Sequence, residues 1–109
     1  MKYRIRTLRR AGQDIDEILN WLVNECHAPQ GAASWLRAFE QATELLKIAA
    51  DRYGIAPEQE HYGKPLRQFL FKTRRGRVYR GIFIVEGDEV VIFRVRGSGQ
   101  PLVPDDELE

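Results

Sequence analysis

The chain has 109 residues, of which 43% are hydrophobic, so it is long enough for one modest core and too short for two domains. It has a single cysteine, which excludes an intrachain disulfide framework, and no apolar stretch long enough to span a bilayer. Its first ten residues contain no apolar run of the kind found in secretory signals. We therefore expect one domain over residues 1–109, located in the cytoplasm and without a membrane partner.

The charges are segregated along the chain, although the net charge is only +1. Residues 61–85 contain no acidic residue, whereas four of the last five residues are acidic. The basic segment contains seven cationic residues: Lys64, Arg67, Lys72, Arg74, Arg75, Arg77 and Arg80. Because guanidinium groups bind phosphates and carboxylates in a bidentate manner, this segment predicts an anionic partner, either nucleic acid or an acidic protein segment. The alternative is a solvated strand surface on which arginines block edge pairing.

The first half of the chain is predicted to form a strand and a helical hairpin. Apolar and cationic side chains alternate over residues 3–8, which indicates a strand that ends before Gly12. Apolar residues then recur with helical spacing, and Asp14 lies in the expected first turn, where the helix dipole favours anions. Pro29 is typical of the first turn of a second helix, and Gly54 of its end. The short connection predicts that the two helices are antiparallel.

The second half of the chain is predicted to form a loop and an antiparallel meander. Glycine and proline residues punctuate residues 54–66, which indicates a loop. Three strands follow over residues 67–74, 77–85 and 89–96, joined by short turns that contain glycine. Helices early and strands late predict an α+β fold. In this fold an N-terminal strand joins the sheet, and an antiparallel helical hairpin packs on an antiparallel sheet with a three-stranded C-terminal meander.

The arginines inside the last two strands are the most informative residues of the predicted sheet. Alternation places Arg80 on one face of its strand and Tyr79 on the opposite face. A sheet with helices on one face leaves the other face free to carry charge. We therefore expect Arg80, Arg94 and Arg96 to cluster with Lys72 on an exposed sheet surface.

The remaining polar residues do not indicate a metal or cofactor site. His27 and the distant His61 do not have the spacing of metal ligands, and Cys26 continues an apolar helical stripe, which predicts a small core residue. The glycines after the last strand are followed by neither a helix nor a lysine, so they do not form a phosphate-binding loop. Trp21, Trp35 and Phe39 are expected to pack in the core or in the helical hairpin rather than to stack on bases. We expect no metal and no cofactor.

The order of the elements and three segments resemble the RelE/ParE superfamily of bacterial toxins over nearly the whole chain. The segments are AGQDIDEILNWL, KPLRQFLFKTRRG and RVYRGIFIVEGDEVVIFRVRGSGQPL. Members of this group have a Tyr-Arg pair before an apolar strand and arginines in the closing strand, which here are Tyr79-Arg80 and Arg94-Val95-Arg96. The resemblance implies the toxin of a type II toxin–antitoxin, or plasmid-stabilisation, module that inhibits growth. It also implies a hetero-oligomer with a cognate antitoxin, in which an acidic and apolar antitoxin segment covers the basic sheet and the groove of the hairpin.

The superfamily divides by target, and the residues favour a toxin that binds a protein over a ribonuclease. Cleaving mRNA on the ribosome needs a base, an acid and cations that stabilise the phosphorane. Arg80, Lys72 and Arg96 are candidate cations, and Tyr79 is the remaining candidate acid or base. The chain has no histidine after His61 and no tyrosine after Tyr79, although ribonuclease relatives place one near the C-terminus. The resemblance is closer to ParE-like members, which implies DNA gyrase as the target and no catalytic residue.

Two alternatives to a gyrase-directed toxin stay open: a ribosome-dependent mRNA endonuclease, and an inactive member that retains only partner binding. In each case the residues expected to bind the target or the antitoxin are Lys72, Arg74, Arg75, Arg77, Arg80, Arg94 and Arg96. Arg80 is expected to be the most sensitive of them, because a buried guanidinium without a partner is unfavourable. The structural alternative is that Arg80 pairs with a carboxylate of the first helix or of the C-terminal tail.

Overall fold

The elements follow the predicted order along the chain. The structure, a computed structural model, describes residues 2–61, 63–73, 76–97, 99–104 and 107–108, with only the backbone described at residues 60 and 61. The helices are α1 (Arg9–Asn20) and α2 (Pro29–Ala49), and the strands are β1 (Arg4–Thr7), β2 (Arg67–Phe71), β3 (Tyr79–Glu86) and β4 (Glu89–Gly97). Shorter helical turns lie at Trp21–Glu25, which is π-helical, and at Ala50–Arg52 and Pro57–His61, which are 3-10 turns. The predicted α+β class is confirmed. In the described part of the chain, no helix is long and apolar enough to cross a membrane.

The four strands form one sheet in the order β1-β4-β3-β2. β2, β3 and β4 form the predicted antiparallel meander. β1 joins the sheet as expected, but it pairs parallel with β4, with Arg4 opposite Glu89. The sheet is therefore mixed and not purely antiparallel. Parallel neighbours need a long crossover connection, which here includes the helical hairpin.

The first helix begins earlier than the sequence predicted. α1 starts at Arg9, so Gly12 lies inside it and does not separate it from the strand. The N–H of Gly12 donates to the carbonyl of Leu8 at 3.0 Å, and Ala11 is fully buried. The early start is explained by this packing, because a small residue lets the first turn lie close to the sheet. α2 begins at Pro29 as predicted, but it ends at Ala49, and a 3-10 turn precedes Gly54.

The face of the sheet toward the helices carries an aromatic core. Trp35 and Phe39 of α2 stack with ring centroids 5.7 Å apart. Trp35 also makes edge contacts with Phe71 at 5.3 Å and with Tyr79 at 5.6 Å. Aromatic pairs in these geometries contribute about 0.5–1.5 kcal/mol beyond the burial of their area. This core holds Trp35 and Tyr79 in place at the end of the sheet where β3 begins.

The opposite face of the sheet, which we call the second face, is covered as well. The prediction of a free face is wrong, because side chains from the loop before β2 and from the C-terminal segment are buried there. They are Ala56, Leu66, Val103 and Leu108, and they pack in one cluster with Ile82, Ile84, Val91 and Phe93. The reason is visible in β3, where apolar residues occupy consecutive positions and not alternate ones, a pattern typical of strands buried on both faces.

A β-bulge in β4 sets which side chains reach the second face. Phe83 lies opposite Ile92 and Ile82 lies opposite Arg94, so Phe93 is an extra residue in β4. Strict alternation predicts Val95 on the same face as Phe93, but Val95 packs in the helix-side core. After the bulge, Arg94 and Arg96 are aligned with Ile82 and Arg80 on the second face.

Candidate functional site

Arg80 is held on the second face by a carboxylate of the loop between α2 and β2. Its Nη1 donates to Glu58 Oε1 at 2.8 Å and its Nη2 to Glu58 Oε2 at 2.5 Å, and Nη1 also donates to Gln68 at 3.3 Å. The side chains of Arg80 and Glu58 are 15% and 1% exposed. Glu58 Oε2 also accepts the N–H of Val103 at 3.0 Å. This carboxylate therefore joins the sheet, the loop and the C-terminal segment.

The charge of Glu58 is stabilised by its partners. Burial by itself raises the pKa of Glu58, but the hydrogen bonds from Arg80 and from the backbone of Val103 outweigh it, so the pKa lies below its usual value. Glu58 is therefore ionised at neutral pH and forms an ion pair with Arg80.

Arg94 is held by carboxylates from both ends of the chain. Asp14 of α1 accepts hydrogen bonds from Nε at 2.7 Å and from Nη2 at 2.9 Å, and Nη1 donates to Glu107 Oε1 at 3.4 Å. Asp14 also accepts a hydrogen bond from the N–H of Val95 at 2.9 Å. Val95 lies in the part of β4 that extends beyond the residues paired with β1. The hydrogen bonds to Asp14 outweigh burial and raise the pKa of Arg94. The sequence indicates the first helix and the C-terminal tail as alternative sources of a carboxylate for Arg80. In the structure these two segments supply the carboxylates that pair with Arg94.

Tyr79 lies on the opposite face of the sheet from Arg80, as alternation predicts. Its ring packs against Trp35 and Phe71, with centroid distances of 5.6 and 5.9 Å. Burial raises the pKa of Tyr79, and the charge of Arg77 only partly opposes this effect. A tyrosine with a raised pKa is even less ionised at neutral pH than usual. The two residues of the Tyr-Arg pair therefore do not converge on one site.

Three of the residues predicted to bind the target or the antitoxin have no carboxylate partner among the described residues: Lys72, Arg77 and Arg96. They lie where β2 ends, β3 begins and β4 ends, and we call this region the open end of the sheet. Arg96 lies directly opposite Arg80, and its buried Nε has no hydrogen-bond partner. Like charges that face each other across strands repel, so Arg96 is a cation that no described residue neutralises.

The open end has two sides. Phe71 packs in the helix-side core, so the next residue, Lys72, continues the alternation toward the second face, where Arg96 also lies. Arg77 is on the helix side, with its guanidinium carbon 5.8 Å from the centre of the Trp21 ring. Two further predicted binding residues lie outside the described residues: Arg74 and Arg75. The expected exposed cluster of all the strand arginines does not form, because Arg80 and Arg94 pair internally.

A cleft of about 330 Å³ lies between the helical hairpin and the open end, and Trp21, Trp35, Arg77 and Tyr79 are among its lining residues. Trp35 is buried as predicted, but Trp21 is 41% exposed and Cys26 is exposed as well. The prediction of a core position for Cys26 is wrong because a π-helical turn follows α1. The N–H of Cys26 donates to the carbonyl of Trp21, five residues back, at 3.1 Å. Such a wide turn moves the following side chains off the apolar stripe.

The described residues offer groups for binding and not an assembled reaction centre. No group of three His, Cys, Asp or Glu side chains within the described ranges is placed to hold a metal ion. The open end instead presents cations that lack a carboxylate partner in the described ranges, beside an exposed indole ring. Such groups recognise anionic and apolar surfaces of a partner.

Comparison with known proteins gives one family and one similar structure. The family model described as the ParE toxin of the type II toxin–antitoxin system parDE matches residues 5–101. A solved chain of the chromosomal ParDE toxin–antitoxin system from P. aeruginosa is similar with a TM-score of 0.65 and 21% sequence identity, over 88% of this chain and 96% of that chain. Comparison with curated protein sequences gives no match. At 21% identity the structural likeness shows a shared fold, while the family match covers most of the chain.

Proposed function

The chain belongs to the ParE toxin family of type II toxin–antitoxin systems, and we propose that it inhibits growth by binding DNA gyrase through Lys72 and Arg96 at its open end. As a member of that family it is a toxin component with an antitoxin partner. Gyrase is proposed because the sequence resembles ParE-like members more closely than ribonuclease members. Binding to gyrase places the action of the chain in the cytoplasm.

The main support for a mechanism by binding is that the candidate catalytic groups, Tyr79 and Arg80, lie apart on opposite faces of the sheet. Ribonuclease chemistry needs a base and stabilising cations around one phosphate. Tyr79 is buried on the helix side, whereas Arg80 lies on the second face and is already paired with Glu58. The raised pKa of Tyr79 further opposes its use as a base. A toxin that acts by occupying its target needs none of these groups to meet.

Lys72 and Arg96 are the residues that we assign to the target. Both lie toward the second face at the open end, and neither has a carboxylate partner among the described residues. Arg80 and Arg94 are not assigned to the target, because their guanidinium groups are occupied by Glu58 and Asp14. An anionic surface of the gyrase–DNA complex would complement Lys72 and Arg96.

Induced expression in a bacterial host separates the candidate targets. A gyrase-directed toxin is expected to trigger a DNA-damage response while protein synthesis continues at first, and the purified chain is expected to inhibit supercoiling by gyrase. An endonuclease would stop protein synthesis and leave cut transcripts. Cut transcripts without a DNA-damage response would reject the gyrase assignment, and unaffected growth would indicate an inactive family member.

A matched pair of charge reversals tests the assignment of the surface. Lys72→Glu is expected to weaken both growth inhibition and gyrase inhibition, because it reverses a cation that pairs with no carboxylate in the described part of the chain. Lys64→Glu makes the same change at an exposed lysine that pairs with Glu86, and it is expected to retain activity. Equal activity of the two variants, with equal melting temperatures, would remove Lys72 from the target surface.

A further inference from the structure

The cleft between the helical hairpin and the open end combines apolar walls with two unused hydrogen-bond donors. Trp35, which is 2% exposed, lines it, and the indole N–H of Trp35 has no hydrogen-bond partner among the described residues. Buried donors in native proteins are nearly always paired, so this one indicates a missing acceptor. Arg77 is the one charged side chain among the described lining residues, and it has no carboxylate partner in that part of the chain.

We propose that this cleft anchors the antitoxin through one large apolar side chain that is followed closely by a carboxylate. The apolar side chain fills the space beside Trp21, Trp35 and Tyr79. A carbonyl or carboxylate oxygen of the same segment accepts the N–H of Trp35, and the carboxylate pairs with Arg77. Pockets lined by Trp, Tyr and Arg residues supply most of the affinity in protein interfaces. The inference rests on the antitoxin partnership of the proposed function and does not depend on gyrase as the target.

Position and charge favour the antitoxin over the target as the occupant. The cleft is on the helix side of the open end, whereas the cations assigned to the target, Lys72 and Arg96, lie toward the second face. An acidic and apolar segment that folds on binding loses conformational entropy. A few deeply buried side chains must therefore supply most of its affinity. A single apolar cleft with a cation at its wall fits such an anchor.

The two tryptophans of the chain make the cleft directly observable, because both line it. In a proton–nitrogen correlation spectrum of labelled toxin, both indole N–H signals come from residues that line the cleft. Titration with the unlabelled protein encoded by the adjacent reading frame is expected to shift both signals, with the Trp35 proton moving downfield as it gains an acceptor. If the complex forms and neither signal moves, the proposal is overturned.

A small probe tests the chemistry of the cleft without the antitoxin. At millimolar concentration 3-phenylpropionate, an apolar ring with a carboxylate, is expected to shift the same two indole signals. The alcohol 3-phenylpropanol has the same ring without the charge and is expected to bind more weakly. Equal shifts with the acid and the alcohol would overturn the assigned role of Arg77 as the partner of a carboxylate.

Variants separate antitoxin binding from growth inhibition. Arg77→Glu removes the cation, and Cys26→Phe fills the cleft from an exposed position; each is expected to weaken antitoxin binding about 30-fold, the effect of losing one hot-spot contact. Arg52→Glu, an exposed site at the far end of α2, is the charge-matched control and is expected to bind normally. Both cleft variants are expected to inhibit growth in cells without antitoxin and to resist neutralisation when it is present.

The other outcomes are equally informative. Normal antitoxin binding by both cleft variants overturns the proposal. Loss of growth inhibition with intact antitoxin binding assigns the cleft to the target and also overturns it. If the unmodified toxin fails to inhibit gyrase while the variants still lose antitoxin binding, the proposed target is wrong but the cleft remains the antitoxin site. Cys26→Phe and Arg77→Glu act by different means, so a folding defect in one leaves the other as the test.

Discussion

Replacing Arg80 with methionine removes the cation from the ion pair on the second face and keeps most of the aliphatic stem. The Glu58 carboxylate, whose side chain is 1% exposed, then retains only its backbone hydrogen bonds. Breaking a buried ion pair by removing one partner costs about 3–5 kcal/mol. The 15% exposure of Arg80 admits some solvent, so we expect a loss near the lower bound, about 3 kcal/mol at neutral pH.

The pH dependence of the variant is expected to be opposite in sign to that of the parent. In the parent, the pKa of Glu58 is lowered by folding from 4.5, so its contribution to the free energy of unfolding is present above that value and is lost as the pH falls. In Arg80→Met, burial without the cation raises the pKa of Glu58 in the folded state. The variant is then most stable when Glu58 is protonated, and it loses up to about 1.4 kcal/mol per pH unit as the pH rises above the unfolded value.

Urea unfolding followed by circular dichroism at about pH 5 and about pH 7.5 measures both effects. The double variant Arg80→Met/Glu58→Gln is the control, because a neutral side chain at position 58 needs no cation. It is expected to recover most of the lost stability and to lose the pH dependence between the two conditions. A loss below about 1 kcal/mol for Arg80→Met at the higher pH, independent of pH, would mean that the pair behaves as a solvated surface ion pair, and the reasoning above would be refuted.

Two further predictions concern contacts inside the fold. Asp14→Asn leaves Arg94 without its main anionic partner and is expected to cost about 3 kcal/mol, measured by thermal unfolding; a change within experimental error would contradict the buried pair. Gly81→Ala is expected to cost about 2 kcal/mol, because a Cβ there would lie 2.2 Å from the ring of the fully packed Phe69. Gly54→Ala, where a Cβ meets nothing within 4 Å, is the control and is expected to be neutral; equal melting temperatures of the two glycine variants would disprove the clash.

The fold was predictable from the sequence where the signal is local. The apolar runs of β3 and β4 and the glycine turn between them identify the meander, since face and turn are set by neighbouring residues. The bulge at Phe93 was not predictable, because an inserted residue leaves the apolar pattern unbroken while it changes the face of every residue after it. The burial of the second face was also not predictable, because the side chains that bury it, such as Leu66 and Leu108, come from distant segments of the chain.

The sequence predicted the residue types of the candidate site, but it did not predict which charged side chains pair with each other inside the fold. The basic segment correctly identified cations, yet the sequence does not show which of them are already paired. Glu58 lies 22 residues from Arg80 in a loop, and Asp14 lies 80 residues from Arg94, so neither partner has a local signal. Cys26 was missed as an exposed residue because one π-helical turn suffices to shift it off an apolar stripe that the sequence continues.

The last strand to be synthesised is also the centre of the sheet. β4 lies between β1 and β3, and Arg4 finds its position only opposite Glu89. A nascent chain therefore carries an unpaired first strand until β4 has been made, and closing so long a connection is slow. The open end does not exist before then, because Tyr79 is aligned by pairing with Gly97. A premature stop codon anywhere before β4 thus removes a central strand of the sheet, and the truncated chain cannot form the open end.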